Sequence, residues 1–502
     1  MKLLQSRVTA KSIAQKRWLW MSVGAAVLFC VAHSVVGVLK LRWLGYGWNM
    51  ALYEQEIWNG AHGRFFATSL WGESHSQLGL DLFLTQLLYI PFYMLGGQTT
   101  ESLIILQNIA IGIGCWPIYQ LGRQILKRPW GGFIAVLCYV LLPAVSFLAN
   151  REFDPRSFSM VALLFAAYAY HNQQMPLFIG ACLFALASKS DMAFPVLGFM
   201  LIALVERRGI RWAVVPFGLA TGWLVMSLYI VIPLFSHTSS FQDIAPSYGY
   251  LGNSAGEILR TVITRPLYTI QALWNNAATL PKMEYILALL APFGGLVLLG
   301  WRWLIPALPT FLFNFFSTSS NQWDIRTRHQ AALIPFLCIA ALYGLAVVIN
   351  ASNTSGARFR TRYGVGILIG VLVCANVIYK NPLISTLRYH ESAARVAAAR
   401  EIIAQVPPDA SVSATAFLVP YLARREEVQI FERMVLDPTF VSLYPFPPEV
   451  EYFVGDRRTS PEEEHAINVL QQDAGWQTLD EREGFILLQN PTFAPPNRIP
   501  TP

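Results

Sequence analysis

Charge is what this sequence has least of. Only 13% of its 502 residues are Asp, Glu, Lys or Arg, about half the share of a soluble globular chain. A soluble fold of this length would bury a large core and still need a charged exterior, and the scarcity excludes one. Cysteine is equally thin. Cys30, Cys115, Cys138, Cys182, Cys338 and Cys374 all lie inside apolar runs, with no CxxC pair, which excludes a disulfide framework or a zinc site built on cysteine. No small-x-small cleavage site follows the first apolar run, so residues 18–39 read as a retained signal anchor.

Long apolar runs are what the chain has instead. Hydrophobic residues make up 54%, and runs of about 17–24 are long enough to cross roughly 30 Å of hydrocarbon as helices. The expected spans are 18–39, 102–121, 130–149, 157–171, 175–188, 192–206, 212–235, 284–301, 303–317, 331–350 and 363–379. The stretch 78–96 carries Asp81 near its start and Pro91 within it, and is read as lying along the outer leaflet. With that reading the N-terminal basic cluster, Arg123/Lys127/Arg128, Arg207/Arg208/Arg211, Arg302 and Arg358/Arg360/Arg362 all fall on the cytoplasmic side. The net charge of +7 therefore reads as membrane orientation and not as nucleic-acid binding.

This predicts an α-helical polytopic membrane protein of about eleven transmembrane helices with a small α/β soluble domain at its C-terminus. Residues 1–17 form a cytoplasmic basic N-terminus, 18–380 the transmembrane domain with an outer loop over 40–101, and 385–502 the extracytoplasmic domain. In that last part, strands are expected at 410–414, 428–431, 451–454 and 484–488, and helices at 391–405 and 461–473. It shows no Gly-rich phosphate loop, metal-ligand cluster or nucleophile elbow, and reads as a binding or structural module.

The same topology gathers the chemistry on the outer face. In the first loop Met50, Tyr53, Ile57 and Ala61 share one helical face, which suggests an interfacial helix lying on the membrane. Glu54 and Glu56 lie about 200° apart on it, so they cannot act as a pair. From spacing alone both are more often solvated, and His75 is more often a surface residue. Asp154, before Pro155, is either the N-cap of the next span or a ligand-binding acid. Lys189 and Asp191 either pair with each other or serve a function at membrane depth. Arg326 and Arg328 run against the positive-inside bias; they either bind an anion such as phosphate or pair with Asp324 and lipid headgroups.

The order of parts resembles the GT-C superfamily of glycosyltransferases, which use polyprenyl-phosphate sugar donors on the outer face. Within it the chain is similar to a bacterial family of predicted membrane proteins described as a domain of unknown function. That family reads aromatic-Asp-Leu-Gly-x-Phe-Asp-Gln-x-x-Trp-Asn in its first loop, where this chain has Trp48-Asn49-Met50-Ala51-Leu52-Tyr53-Glu54-Gln55-Glu56-Ile57-Trp58-Asn59. The family's Gly-Asp-His, Asp-Phe-His-Pro and Lys-Glu-Asp motifs correspond to Glu73-Ser74-His75, Glu152-Phe153-Asp154-Pro155 and Lys189-Ser190-Asp191. The likeness runs from about Trp18 to Lys380. Asn49 replaces the family's first acid, Asp154 its His and Ser190 its Glu.

The resemblance implies transfer of a sugar from a polyprenyl-phosphate-linked donor to an envelope acceptor, in a bacterial inner membrane with the N-terminus cytoplasmic. Glu54 would take over as general base, since Asn49 cannot. Arg326, Arg328, Lys189 and His329 would hold the donor phosphate. His75, Glu152, Asp154 and Asp191 would supply a divalent metal site. The expected partners are the donor lipid and membrane lipids, with no nucleic acid. A transporter or flippase of a lipid-linked intermediate, or a non-catalytic lipid-phosphate-binding envelope protein, are the alternatives. The spans are poor in midplane charge and show no internal repeat, which disfavours a transporter.

Overall fold

The computed structural model describes residues 2–70, 75–236, 247–274, 279–350, 357–388, 390–431, 450–472 and 475–493. They are mostly helical, and the chain divides into two compact units. The first comprises Met1–Val35, Leu78–Thr85 and Ile105–Ser385; the second comprises Val36–Gln77, Gln86–Ile104 and Thr386–Pro502.

In the described residues four helical stretches are long and apolar enough to cross a bilayer: Gln15–Arg42, Thr100–Leu126, Arg211–Phe235 and Gly364–Arg388. The first is the apolar part of α1 (Lys2–Arg42). A fifth crossing is formed if Gly131–Val140 and Pro143–Asn150, bent by 55°, count as one span. The bend has a local cause. Leu142 is extended ahead of Pro143, as a residue before proline prefers, and proline cannot donate to the preceding turn. Met175–Ser188, Ser190–Val205 and Ile334–Asn350 are apolar but shorter. Leu28, Leu234 and Val377 lie on the apolar stretches, each at least 70% exposed. A water-facing surface would not tolerate this, whereas lipid does.

Small residues let the helices of this unit approach closely. A Cβ added to Gly198 would run into the Pro306 backbone, and one on Gly344 into the Leu296 carbonyl. Close backbone contact of this kind is how helices associate where burial from water gives no driving force. The ambiguous stretch over 78–96 resolves into a short 3-10 turn and α3, Gln86–Leu95. At ten residues, α3 reaches about 15 Å, half of what a crossing needs.

The second unit is built on a five-stranded sheet of order β2-β1-β3-β5-β4. Its strands are β1 (Val412–Ala414), β2 (Val428–Ile430), β3 (Tyr452–Asp456), β4 (Gln477–Arg482) and β5 (Phe485–Gln489). β1 pairs in parallel with β2 and β3, and β5 runs antiparallel to β3 and β4. Side chains alternate between its faces. Phe453, Ile486 and Leu488 pack with Ile467 and Leu470 of the helix Pro461–Gln472. Val412, Val454, Phe485 and Leu487 pack with Ala399 and Ile402 of the helix Ala393–Ile403.

That second face also takes in Leu44, Ala51, Leu52 and Leu70 from the first loop. Loop and C-terminal sheet therefore share one core. This corrects the expectation of an interfacial helix. α2 (Trp48–Ala61) is buried at Met50, Ala51, Leu52, Tyr53, Glu54, Gln55, Glu56, Ile57, Asn59 and Gly60, so it is a core helix with no apolar face left for lipid.

Candidate active site

In the second unit Glu54 is fully buried. Thr100 Oγ1, at the start of α4 (Thr100–Ile113), donates to the carboxylate at 2.9 and 2.8 Å from its two oxygens. The Tyr93 hydroxyl on α3 donates to Oε1 at 3.2 Å. Arg424, from the C-terminal part, brings Nε to 3.8 Å of the same oxygen and is itself held by donating to the Gln98 carbonyl at 3.2 Å. Burial pushes the Glu54 carboxyl up to about 7; Arg424, Thr100 and Tyr93 pull against it, and nearby Glu101 adds to it. A carboxyl poised there is ionised enough to accept a proton and basic enough to keep it.

α2 is fixed in rotation by its next residue. Gln55 Nε2 donates to Ser69 Oγ at 2.8 Å and to the Arg425 and Glu426 carbonyls at 3.1 and 3.0 Å. Its Oε1 accepts from Thr68 Oγ1 and the Ser69 N–H. Glu56 is buried as well, so the solvated reading fails for both acids. Asn49, five positions before Glu54, points about 140° away around the helix. His75 is exposed, in a left-handed conformation, with its carbonyl bonded by the Thr68 N–H.

The first unit holds a separate charge cluster. Lys189 Nζ lies 2.6 Å from Asp81 Oδ2, and the Ser190 N–H donates to the other Asp81 oxygen at 3.1 Å. Burial would raise the Asp81 pKa; the Lys189 charge and the bonds from Lys189 and Ser190 outweigh it and hold it below the usual value. Arg156 grips Asp191 at 2.6 and 3.0 Å. Lys189 and Asp191 thus have other partners, Asp81 and Arg156, and of the two alternatives the pairing with each other does not occur. Ser190 Oγ meets Ser227 Oγ at 2.9 Å, at the start of a π-helical turn.

Asp154 does two jobs. Its Oδ1 accepts from the Arg156 N–H at 2.8 Å, the first N–H of the helix Arg156–His171, whose N-cap position is Pro155. Its Oδ2 faces Arg328 Nε at 3.4 Å and Arg156 Nη1 at 3.7 Å. Gln107 Oε1 accepts from the Asp154 N–H at 2.8 Å. Arg326 is 65% exposed and binds Asp324 at 2.7 Å, while its carbonyl accepts from Arg151, which pairs with Glu152 at 3.3 Å. His329 is held neutral by burial first, then by the charges of Arg156, Arg328, Arg151 and Lys189. It can offer a single hydrogen bond but no positive charge.

Among the described residues no group of three His, Cys, Asp or Glu side chains could hold a metal. His75, Glu152, Asp154 and Asp191 do not form one, Asp154 and Asp191 being engaged by arginines. Sequence reasoning missed Tyr93, Thr100 and Arg424 around Glu54, and Asp81 and Arg156 in the charge cluster. Asp81 had a signal, an acid in an apolar stretch; Arg424 had none.

Solved structures share the fold. The chain is similar to ArnT from Cupriavidus metallidurans bound to undecaprenyl phosphate, at 13% identity over 94% of this chain and 99% of that one, with a TM-score of 0.56. The apo ArnT structure matches at 13% identity over 93% and 98%, with a TM-score of 0.54. This is a membrane protein with an ArnT-like fold. The chain belongs to the family described as Predicted membrane protein (DUF2079), whose profile matches residues 43–487. No curated protein sequence matches it.

Proposed function

We propose that the protein transfers a sugar from a polyprenyl-phosphate-linked donor to an envelope acceptor on the outer face of a bacterial inner membrane. Glu54 carries the reading: a carboxyl wholly removed from solvent, held in place by Thr100, Tyr93 and Arg424, whose proton affinity that burial raises. Its carboxylate takes the proton of an acceptor hydroxyl as that oxygen attacks the anomeric carbon. The anomeric carbon–phosphate oxygen bond breaks, and polyprenyl phosphate leaves with the bonding pair. Arg328, Arg326 and Lys189 hold the phosphate and spread its growing charge, with His329 as a neutral donor. The ArnT-like fold and that relative's bound undecaprenyl phosphate support the donor class.

In this reading Met175–Ser188, Ser190–Val205 and Ile334–Asn350 also cross, as do the expected spans 157–171, 284–301 and 303–317, giving about eleven spans, with residues 1–17 cytoplasmic and 385–502 outside. The test is Glu54→Gln, assayed by release of polyprenyl phosphate from polyprenyl-phosphate sugars, with donor binding measured alongside. Loss of a general base costs about 10²–10⁴ in rate, while binding should persist. Full turnover by the variant would refute the mechanism.

A further inference from the structure

A second feature of the first unit lies outside the charge cluster. Lys282, on the helix Thr279–Leu290, is buried at 1% exposure. Among the described residues its ammonium has no hydrogen-bond partner and no carboxylate within ion-pairing distance; its recorded neighbour is the Phe315 ring, with the centroid at 5.6 Å. An ammonium taken out of water and left so is costly, and the ring's negative face offsets only part of that cost.

One helical turn further along, the same face opens into a cavity of about 220 Å³. Ile286 and Leu290 line it from this helix; Leu304, Leu308, Phe311 and Leu337 face them. Every lining residue is apolar. Ile286 is four positions after Lys282, and Phe311 four before Phe315, so each helix carries the cavity wall and the cation site on one face. Tyr285 stacks on Phe311 with centroids 6.1 Å apart, which fixes the two helices against each other between the two features. Leu308 is 45% exposed, so the apolar end opens sideways on the surface that faces lipid. The arrangement is a fixed cation followed, about 6 Å on along the helix axis, by a hydrocarbon-lined slot.

We propose that this groove is a binding site for an anionic glycerophospholipid, with its phosphate on Lys282 and an acyl chain in the slot. It is distinct from the donor site, whose proposed residues are Arg326, Arg328 and Lys189. A zwitterionic lipid fits less well, because its own cation would face Lys282. A free phosphate would leave the apolar slot without a reason.

The full-length protein in detergent, titrated with phosphatidylglycerol or phosphatidylcholine and read by native mass spectrometry, tests this. The expected result is one phosphatidylglycerol retained at energies that strip phosphatidylcholine. Lys282→Met should lose that preference by about tenfold or more, the loss expected for a charge-assisted contact, and Lys282→Arg should keep it. Ala307→Phe, which fills the slot, should weaken retention with Lys282 intact. Equal retention of both lipids by the wild type would overturn the site, as would unchanged retention by Lys282→Met. Two competitions on the wild type need no variant. Displacement by millimolar inorganic phosphate would reject a lipid occupant, and one-for-one displacement by undecaprenyl phosphate would assign the groove to the donor.

Discussion

Replacing Arg424 with Gln removes the cation that opposes the desolvation of Glu54. Two unit charges 3.8 Å apart interact by ~1.1 kcal/mol at the dielectric constant of water and ~4.4 kcal/mol at an effective value of 20. That corresponds to roughly 0.8 to 3 pH units. The Arg424 side chain is 49% exposed, so screening by solvent keeps the effect near the lower end, about one unit. Arg424 favours the charged carboxylate, and its loss raises the pKa. The ionisation midpoint should therefore move from about 7 to about 8. The base works only when ionised, so activity at pH 7 should drop roughly fivefold and recover above about pH 9. Infrared difference titration against Glu54→Gln reads the carboxyl directly, with no substrate. A midpoint that stays put, or falls, would show that Arg424 does not act on Glu54. Thr100→Val should move it in the same upward direction, since the hydroxyl also favours the charged form.

Two further outcomes are expected. Lys189→Met strands Asp81 in a buried site and should cost about 3–5 kcal/mol of stability, seen as a lower thermal midpoint in detergent. The double variant with Asp81→Asn should recover most of it, and a double no better than the single would refute the pairing. Single cysteines at His62 and Glu464, both exposed, in a cysteine-free background, should each react with an impermeant thiol reagent on spheroplasts. Labelling of only one would overturn the proposed orientation.

The membrane class was legible from the apolar runs, because hydropathy over some twenty residues survives any packing detail. The strands at 412–414, 428–430, 452–456 and 485–489 were also legible, because each is a short stretch rich in β-branched, aromatic or other apolar residues. β4 was not. Gln477–Arg482 is an exposed edge strand whose polar and charged residues write no apolar pattern, and such charges are how edges resist pairing. Glu54 could be picked out by motif, but its burial could not. The helix around it carries Gln55, Glu56 and Asn59, a polar set that reads as solvent-facing until loop 67–69 and strand β2 close over it. Partner choice was the least legible. Nothing in the spacing of Lys189 and Asp191 says that each bonds a residue from another segment, because ion pairs are set by three-dimensional proximity.

The side chain of Gln55 bonds a carbonyl 370 positions further along the chain, and Arg424 reaches Glu54 across the same distance. At about 5–20 residues per second, a ribosome takes roughly 20 to 70 s to bridge that interval. Through that time the emerging first loop has Glu54 but neither Arg424 nor the sheet that covers Leu52. A product truncated by premature termination would still contain the apolar stretches needed for insertion, yet it could not finish the pocket around its acid. Quality control could therefore read the completeness of this unit as a measure of whether translation had reached its end.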